Sequence, residues 1–402
     1  MDRELLEKVK KQEISFHEID KILDANDSIE LRRTAISQLT GTQFDHISNY
    51  SMDVEVVTKR NIENMIGAIQ IPLGVAGPLS VNGEYACGNY YIPLATTEGA
   101  LVASADRGSS VITASGGANV RIFKDEMTRA PVFKTRDIIG AKELVDWVNK
   151  NFEKLKKKAE ETTRFGELLS INSYTAGRNV FLRFAYDTKG AMGMNMVTIA
   201  TDAAVDLILL ENDIELVALS GNMCSDKKPA AINAILGRGK TVSADVFIRK
   251  DIILDKLKTT PEKMADVNYR KNLIGSARAG SISFNAHAAN IAAAMFIACG
   301  QDAAHVVEAS NAITTMELTG EGLYCSVTLP SLNVGTVGGG TKIATQQECL
   351  KMLGVAGAGE PPGTNSRKLA EIIAAAVLAG EISLVGALAA RHLAKAHAAL
   401  GR

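Results

Sequence analysis

No two of the five cysteines form a C-x-x-C pair; Cys87, Cys224, Cys299, Cys325 and Cys349 are scattered over the whole chain. That spacing argues against a disulfide framework or a zinc site and agrees with a reducing cytoplasm. Excess charge of one sign is also missing. Lys and Arg total 44 against 45 Asp and Glu, a net charge of -1, so nothing draws the chain as a whole to nucleic acid or to an anionic membrane. The one basic run, Lys154-Leu155-Lys156-Lys157-Lys158, follows Glu153 and precedes Glu160 and Glu161. It reads as a solvated helix face. The longest apolar runs, near Ile291–Gly300 and Ile372–Gly380, reach about half of a bilayer span and read as buried helices. Met1-Asp2-Arg3-Glu4 is charged and has no apolar signal core. A soluble, cytoplasmic protein is expected.

Common catalytic signatures are absent as well. Gly237-Arg238-Gly239-Lys240-Thr241 approaches a P-loop, but Ala234 stands where its first glycine is required. Gly338-Gly339-Gly340 and the stretch Gly354–Gly363 are glycine-rich without the G-x-G-x-x-G spacing of a Rossmann site. There is no H-E-x-x-H, no His/Asp cluster at metal spacing and no G-x-S-x-G elbow. A metal-independent enzyme is the reading that survives.

What is present fits a folded protein of two or three domains. The chain has 402 residues, 46% hydrophobic and 22% charged, which excludes a disordered chain. Residues 1–50 read as a small helical region, with helices over Glu4–Gln12, His17–Ala25 and Ile29–Thr40. Short β-prone runs follow at Ile69–Leu73 and Tyr90–Leu94, then an apolar helix from about Glu98 to Ser110. The stretch 131–220 has its own order: strand Pro131–Lys134, a long charged helix Ala141–Glu161, strands Glu167–Tyr174 and Asn179–Tyr186, helix Asn195–Leu210 and strand Glu215–Ser220. That β-α-β-β-α-β order is the split βαβ of a ferredoxin-like domain. It predicts an α+β protein, in which a large α/β domain with a long central helix (51–130 and 221–402) carries 131–220 as an insert.

Four groups of residues carry candidate chemistry. Glu98, in Thr96-Thr97-Glu98-Gly99-Ala100, heads an apolar helix. The helix dipole alone explains a carboxylate there. The functional alternative is a general acid, its proton held by apolar surroundings. Asp226-Lys227-Lys228 follows an apolar strand and precedes Pro229. Such a triplet is commonly only solvated, yet here it lies where the inserted domain rejoins the larger one, a usual place for a cleft, and a lysine there can stabilise an oxyanion. A helix of about 36 Å is expected over Ala286–Ala309. On it His287, Asn290, Ala294, Ala298, Asp302 and His305 share an arc of about 120°. Last, His392 and His397 lie about 140° apart on a terminal helix and cannot serve one metal.

Taken together these residues resemble the hydroxymethylglutaryl-coenzyme A reductase family, in its class I, soluble archaeal form. The resemblance runs from about Glu63 to His397 and rests on Glu63-Asn64-Met65-Ile66-Gly67, Ala95–Ser104, Met192-Gly193-Met194-Asn195, Ser220–Asn233, Asn285–Asn290, Gly300-Gln301-Asp302-Ala303-Ala304 and Gly335–Gly340. It implies reduction of the acyl-CoA thioester to mevalonate and CoA by two NADPH, without metal. It implies that Lys227 stabilises the oxyanion, Glu98 donates the proton to the aldehyde, Asp302 tunes both, and His397 protonates the CoA thiolate. By the same match Arg129, Ser220, Asp226, Lys228, Lys271, His287 and Asn290 would hold the hydroxymethylglutaryl part. Asn64, Ser104, Arg107, Ser110, Lys256 and Lys258 would face CoA. Arg164, Arg178, Met192, Gly193, Met194, Asn195, Gly338 and Gly339 would face NADPH. Gly190 and Ser110 depart from the eukaryotic pattern, which has an acidic residue and an arginine there. The family also implies a homodimer with active sites between subunits, or a dimer of such dimers. The NADH-using degradative class is the nearest alternative.

Overall fold

The computed structural model describes residues 3–390. Three helices open the chain: α1 (Arg3–Lys10), α2 (Ala25–Thr40) and α3 (Val54–Arg60). Asp24 caps α2 by accepting from the Asp27 N–H at 2.9 Å. Leu5, Leu6, Val9, Ile19, Leu31 and Ala35 give this region a small core of its own. The helix expected over His17–Ala25 is only a single turn, Glu18–Lys21. Asp24 starts a new helix instead of ending that one.

Ten strands form the sheet that organises the described residues. They are β1 (Leu73–Asn82), β2 (Cys87–Ala95), β3 (Ala118–Arg129), β4 (Val132–Lys134), β5 (Glu167–Ala176), β6 (Asn179–Asp187), β7 (Glu215–Ala218), β8 (Gly239–Arg249), β9 (Ile313–Thr319) and β10 (Gly322–Leu332). Pairing is antiparallel except between β1 and β3. β3 is the link between two parts. Its residues 119–126 pair with β8, and its last three, Met127 to Arg129, pair with β6. Beyond it the strands run β5-β6-β4-β7. Helices α5 (Ile138–Lys150), α6 (Phe152–Glu160) and α7 (Met194–Glu211) share a core with these strands, built on Phe133, Leu144, Leu155, Leu182, Phe184 and Ile208.

The single helix expected over Ala141–Glu161 is therefore two. Asn151 leaves the helical region (φ -106, ψ 20) and turns its side-chain amide back onto the Trp147 carbonyl at 2.8 Å. That side-chain bond competes with the next helical turn.

The larger part surrounds a 26-residue helix, α10 (Thr364–Ala389), about 39 Å long. By length and composition α10 could cross a membrane, but 83% of its most apolar window is buried in the protein. It is a core helix, packed by α4 (Leu101–Ala114), α9 (Ala288–Ala298) and β8. Between β7 and β8 lies the short helix α8 (Ala231–Leu236).

The helix expected over Ala286–Ala309 is corrected in the same way. α9 ends at Ala298 because Gly300 turns left-handed at φ 64. A Cβ there would lie 2.4 Å from the Gly340 carbonyl oxygen, so only glycine allows the approach. Asp302 then starts a new turn over Ala303–His305. The polar stripe drawn along one continuous helix does not exist.

Gly108 is the tightest contact between α4 and α10. A Cβ on it would fall 1.9 Å from the Ala379 carbonyl oxygen. Gly108→Ala should therefore lower unfolding stability by about 1–3 kcal/mol, read as a lower urea midpoint. An unchanged midpoint would contradict this packing.

Candidate active site

Residues on either side of the segment 131–220 meet at one point. The Gly221 N–H donates to the Ala130 carbonyl at 2.7 Å, joining the chain's exit to its entry. Gly221 packs against Val132 and Phe181 where a Cβ would sit 2.7 Å from Val132 Cβ. Beside this junction opens a groove of about 900 Å³. Met192 to Met196 line it on one side, with Lys227, Gln301, Asp302 and Gly338 to Gly340 completing the lining.

Lys227 reaches the groove from a strained loop. Asn222, Ser225 and Lys227 have φ of 63, 53 and 58, three non-glycine residues in the left-handed region within six positions. Surrounding contacts have to hold such a backbone in place. Thr128 Oγ1 donates to the Cys224 carbonyl at 3.3 Å, and the Lys227 N–H donates to Glu308 Oε1 at 3.3 Å. The Lys227 ammonium then meets Asp302 Oδ2 at 2.9 Å. Accepting that bond, Asp302 pushes the lysine above its ordinary pKa, outweighing partial desolvation. Partial burial alone would raise the Asp302 carboxyl. The Lys227 and Ala304 donors and the neighbouring His305 more than offset that and hold it below the usual carboxylate range. Lys227 thus stays charged, and Asp302 ionised, across neutral pH.

Behind the pair lies a fully buried carboxylate, Glu308. It accepts from Arg238 Nη1 at 2.8 Å, His305 Nδ1 at 2.6 Å and Asn333 Nδ2 at 2.6 Å. Arg238, also buried, reaches Asp226 Oδ1 at 3.1 Å with Nη2. Asp226, His305 and Glu308 are close enough to suggest a cation site. The Arg238 guanidinium, bridging both carboxylates, already supplies the positive charge there.

A second set forms around α9. Glu98 lies in the turn before α4 and is exposed, not enclosed by apolar neighbours as expected from its place at an apolar helix; α4 starts at Leu101. Its Oε1 accepts from Asn290 Nδ2 at 3.1 Å. His287 Nε2 donates to the Gly380 carbonyl at 2.7 Å, and Glu381 accepts from the Ala286 and His287 N–H groups at 2.7 and 2.8 Å. Among the described residues no ion pair or hydrogen bond links Glu98 to Lys227 or Asp302.

The other expected residues fall in three places. Arg129, Asp226, Met192, Gly193, Met194, Asn195, Gly338 and Gly339 line the groove with Lys227, and Arg129 Nε is buried without a partner. Ser220 contacts Cys224 Sγ at 3.4 Å, and exposed Lys228 donates to the Asp226 carbonyl. Along α4, Ser104 Oγ and Arg107 Nε meet Ser383 Oγ at 2.9 and 3.0 Å, and Ser110 accepts from Lys256 at 2.8 Å. Desolvation pushes the Arg107 guanidinium down. Lys258 is left-handed at φ 54 and pairs with Asp255; Asn64 is left-handed at φ 51. Lys271 donates to Asn272. Arg164 and Arg178 are exposed, before β5 and between β5 and β6. His397 lies outside the described residues.

Sequence reasoning missed Arg238, Glu308 and Asn333, and gave His305 a place on a stripe that does not form. One signal was available. The run rejected as a P-loop is a turn in which Gly237 and Gly239, at φ 75 and 73, carry Arg238 inward.

Residues 28–402 match the hydroxymethylglutaryl-coenzyme A reductase family. The 3-hydroxy-3-methylglutaryl-coenzyme A reductase of Haloferax volcanii is 54% identical over 398 residues, 99% of this chain and 98% of that one. That of Pyrococcus abyssi is 52% identical over 404 residues, 99% of each chain. This chain belongs to that family. Its fold is also that of a class II reductase from Streptococcus pneumoniae bound to NADPH, at TM-score 0.67 and 20% identity, covering 93% of this chain and 100% of that one. In this member of the family, the groove-facing pair and the buried cluster contribute differently to stability. Lys227 and Asp302 are 44% and 35% exposed, so Lys227→Met should cost at most about 1 kcal/mol. Arg238→Met leaves Glu308 charged and underpartnered, and should cost about 3–5 kcal/mol. Urea unfolding of the two variants checks this; equal losses would contradict it.

Proposed function

We infer that the protein reduces (S)-3-hydroxy-3-methylglutaryl-CoA to mevalonate and CoA with two NADPH, in the mevalonate pathway of isoprenoid biosynthesis. The observation that carries the reading is the Lys227–Asp302 pair, facing a groove between the insert and the larger part, in a chain that matches archaeal reductases over nearly their whole length.

The chemistry follows from the charges. When the thioester carbonyl is reduced, its oxygen becomes anionic, and a fixed ammonium in a recessed site stabilises it more than water does. Lys227 is that cation, kept protonated by Asp302. The same lysine polarises the aldehyde of the second reduction. Glu98 donates the proton to the aldehyde oxygen, and His397 protonates the departing CoA thiolate. The unpartnered Arg129 Nε suits a carboxylate of the substrate.

NADPH, when bound, supplies the hydride. The residues on the insert suit it. Gly193 starts α7 at φ 96 with no side-chain cap, so the first N–H groups of an 18-residue helix are free for a phosphate. Gly338 and Gly339 leave open space where a Cβ would stand, which allows close approach of a ligand. We read 131–220 as a ferredoxin-like domain inserted in 51–130 and 221–402, its β5-β6-β4-β7 order supporting that reading, with 1–50 as a helical region. Arg164 and Arg178 belong to the cofactor side. Ser104, Arg107, Ser110, Lys256, Lys258 and Asn64 belong to CoA. Ser220, Asp226, Lys228, Lys271, His287 and Asn290 belong to the acyl group. A cytoplasmic homodimer with sites between subunits accounts for the exposed apolar residues Ile69, Leu73, Val75 and Tyr91.

Mixing the purified protein with the acyl-CoA and either NADPH or NADH, and following nicotinamide absorbance, tests activity and cofactor choice together. NADPH oxidation dependent on acyl-CoA is expected; none, or NADH oxidation alone, would sink the reading. Lys227→Ala should lower thioester turnover by about 10²–10³-fold or more, while calorimetry shows CoA and NADPH still binding. His397→Gln should slow the thioester step and spare mevaldehyde reduction; equal losses in both would refute the thiolate role.

A further inference from the structure

His305 is a buried titratable group that the mechanism above leaves without a task. Its surroundings constrain its protons. Glu308 Oε2 lies 2.6 Å from Nδ1. That carboxylate also receives Arg238 and Asn333, so it is ionised and can only accept. Nδ1 therefore carries a hydrogen. The other ring nitrogen, Nε2, is buried without a hydrogen-bond partner. The groups facing it are two more carboxylates, Asp226 Oδ1 and Asp302 Oδ2, each at 3.7 Å. A bare lone pair there would confront two anionic oxygens. A second proton turns both contacts into attractions, and a small closure would make either one a hydrogen bond.

The charge balance points the same way. Asp226, Asp302 and Glu308 are three carboxylates, against the two cations Lys227 and Arg238. An imidazolium at His305 brings the cluster to neutrality. Among the described residues these five are the charged groups that face the ring, contributed by the Lys227 loop, the turn before β8 and the segment 302–308.

We propose that His305 is a positioning residue for Lys227: held as an imidazolium by Glu308, it keeps Asp302 ionised and so keeps Lys227 paired and fixed at the groove. The proposal deepens the reductase reading and rests on it for its kinetic consequence. The sign follows from electrostatics. Removing a positive charge beside Asp302 disfavours its ionised form, so that form appears only at higher pH.

Two measurements on the full chain test this. In the unaltered protein labelled with 15N and 13C, sequential backbone assignment followed by correlation from the backbone to the side chain identifies the His305 ring. At neutral pH it should show both nitrogens protonated. A neutral, singly protonated ring overturns the proposal, whether or not the variant folds. In the kinetic arm, His305→Gln should move the acid limb of the kcat/KM profile for acyl-CoA up by about half to one pH unit, with KM for NADPH changed by less than about twofold. A uniform fall in kcat with the limb unmoved overturns the positioning role and leaves His305 as packing. If the unaltered protein does not reduce the acyl-CoA, the functional reading falls, while the spectrum still decides the charge of the ring.

Discussion

The buried Glu308 carboxylate is the contact on which the geometry of the site depends. It has no exposure to water, so its charge persists only because protein donors replace the solvent. Those donors come from separate parts of the chain. Arg238 stands just before β8, Asn333 just after β10, His305 one turn earlier, and the Lys227 N–H in the strained loop. Meeting one carboxylate, they fix the loop, the turn and two strand ends in one arrangement. Glu308 is thus one of the contacts, with Thr128 on the Cys224 carbonyl, that hold the left-handed backbone at Lys227 in place.

The groove owes its position to β3. One strand serves both parts of the sheet, pairing with β8 along most of its length and with β6 at its end. Arg129 is its last residue, and the Ala130 carbonyl receives a hydrogen bond from the Gly221 N–H, ninety-one residues on. The Lys227 loop is thus tied to the end of β3. Across the molecule, α10 does the equivalent for the other acid. Glu381 and the Gly380 carbonyl hold the backbone and ring of His287, and Asn290 one turn on holds Glu98. Two acidic residues, Glu308 and Glu381, each buried and each held by donors, anchor the two halves of the candidate chemistry.

Much of this was legible in the residues. Periodicity placed the strands of 131–220, and the structure has them at Val132–Lys134, Glu167–Ala176, Asn179–Asp187 and Glu215–Ala218. Family motifs brought Lys227 and Asp302 into one proposal, and the structure pairs them. The misses share a cause. The end of the helix at α9 depends on Gly300 meeting Gly340, forty residues away, and no local pattern announces such a contact. The split at Asn151 is one side-chain bond, too small to alter a periodicity. Glu98 looked enclosed because its neighbours in sequence are apolar, whereas its neighbours in space leave it exposed. Arg238 and Glu308 were invisible because a buried ion pair is a relation between distant residues, and each partner alone reads as surface charge.

Glu308 holds the loop that carries Lys227, so its effect on the reaction should pass through the lysine. A double-mutant cycle on kcat/KM for acyl-CoA reduction, with Lys227→Ala, Glu308→Gln and both together, tests it most directly. The account predicts strong non-additivity: once Lys227 is absent, Glu308→Gln should cost almost nothing further. Losses that simply add would contradict it, since Glu308 would then act on the reaction by a route that does not pass through the lysine.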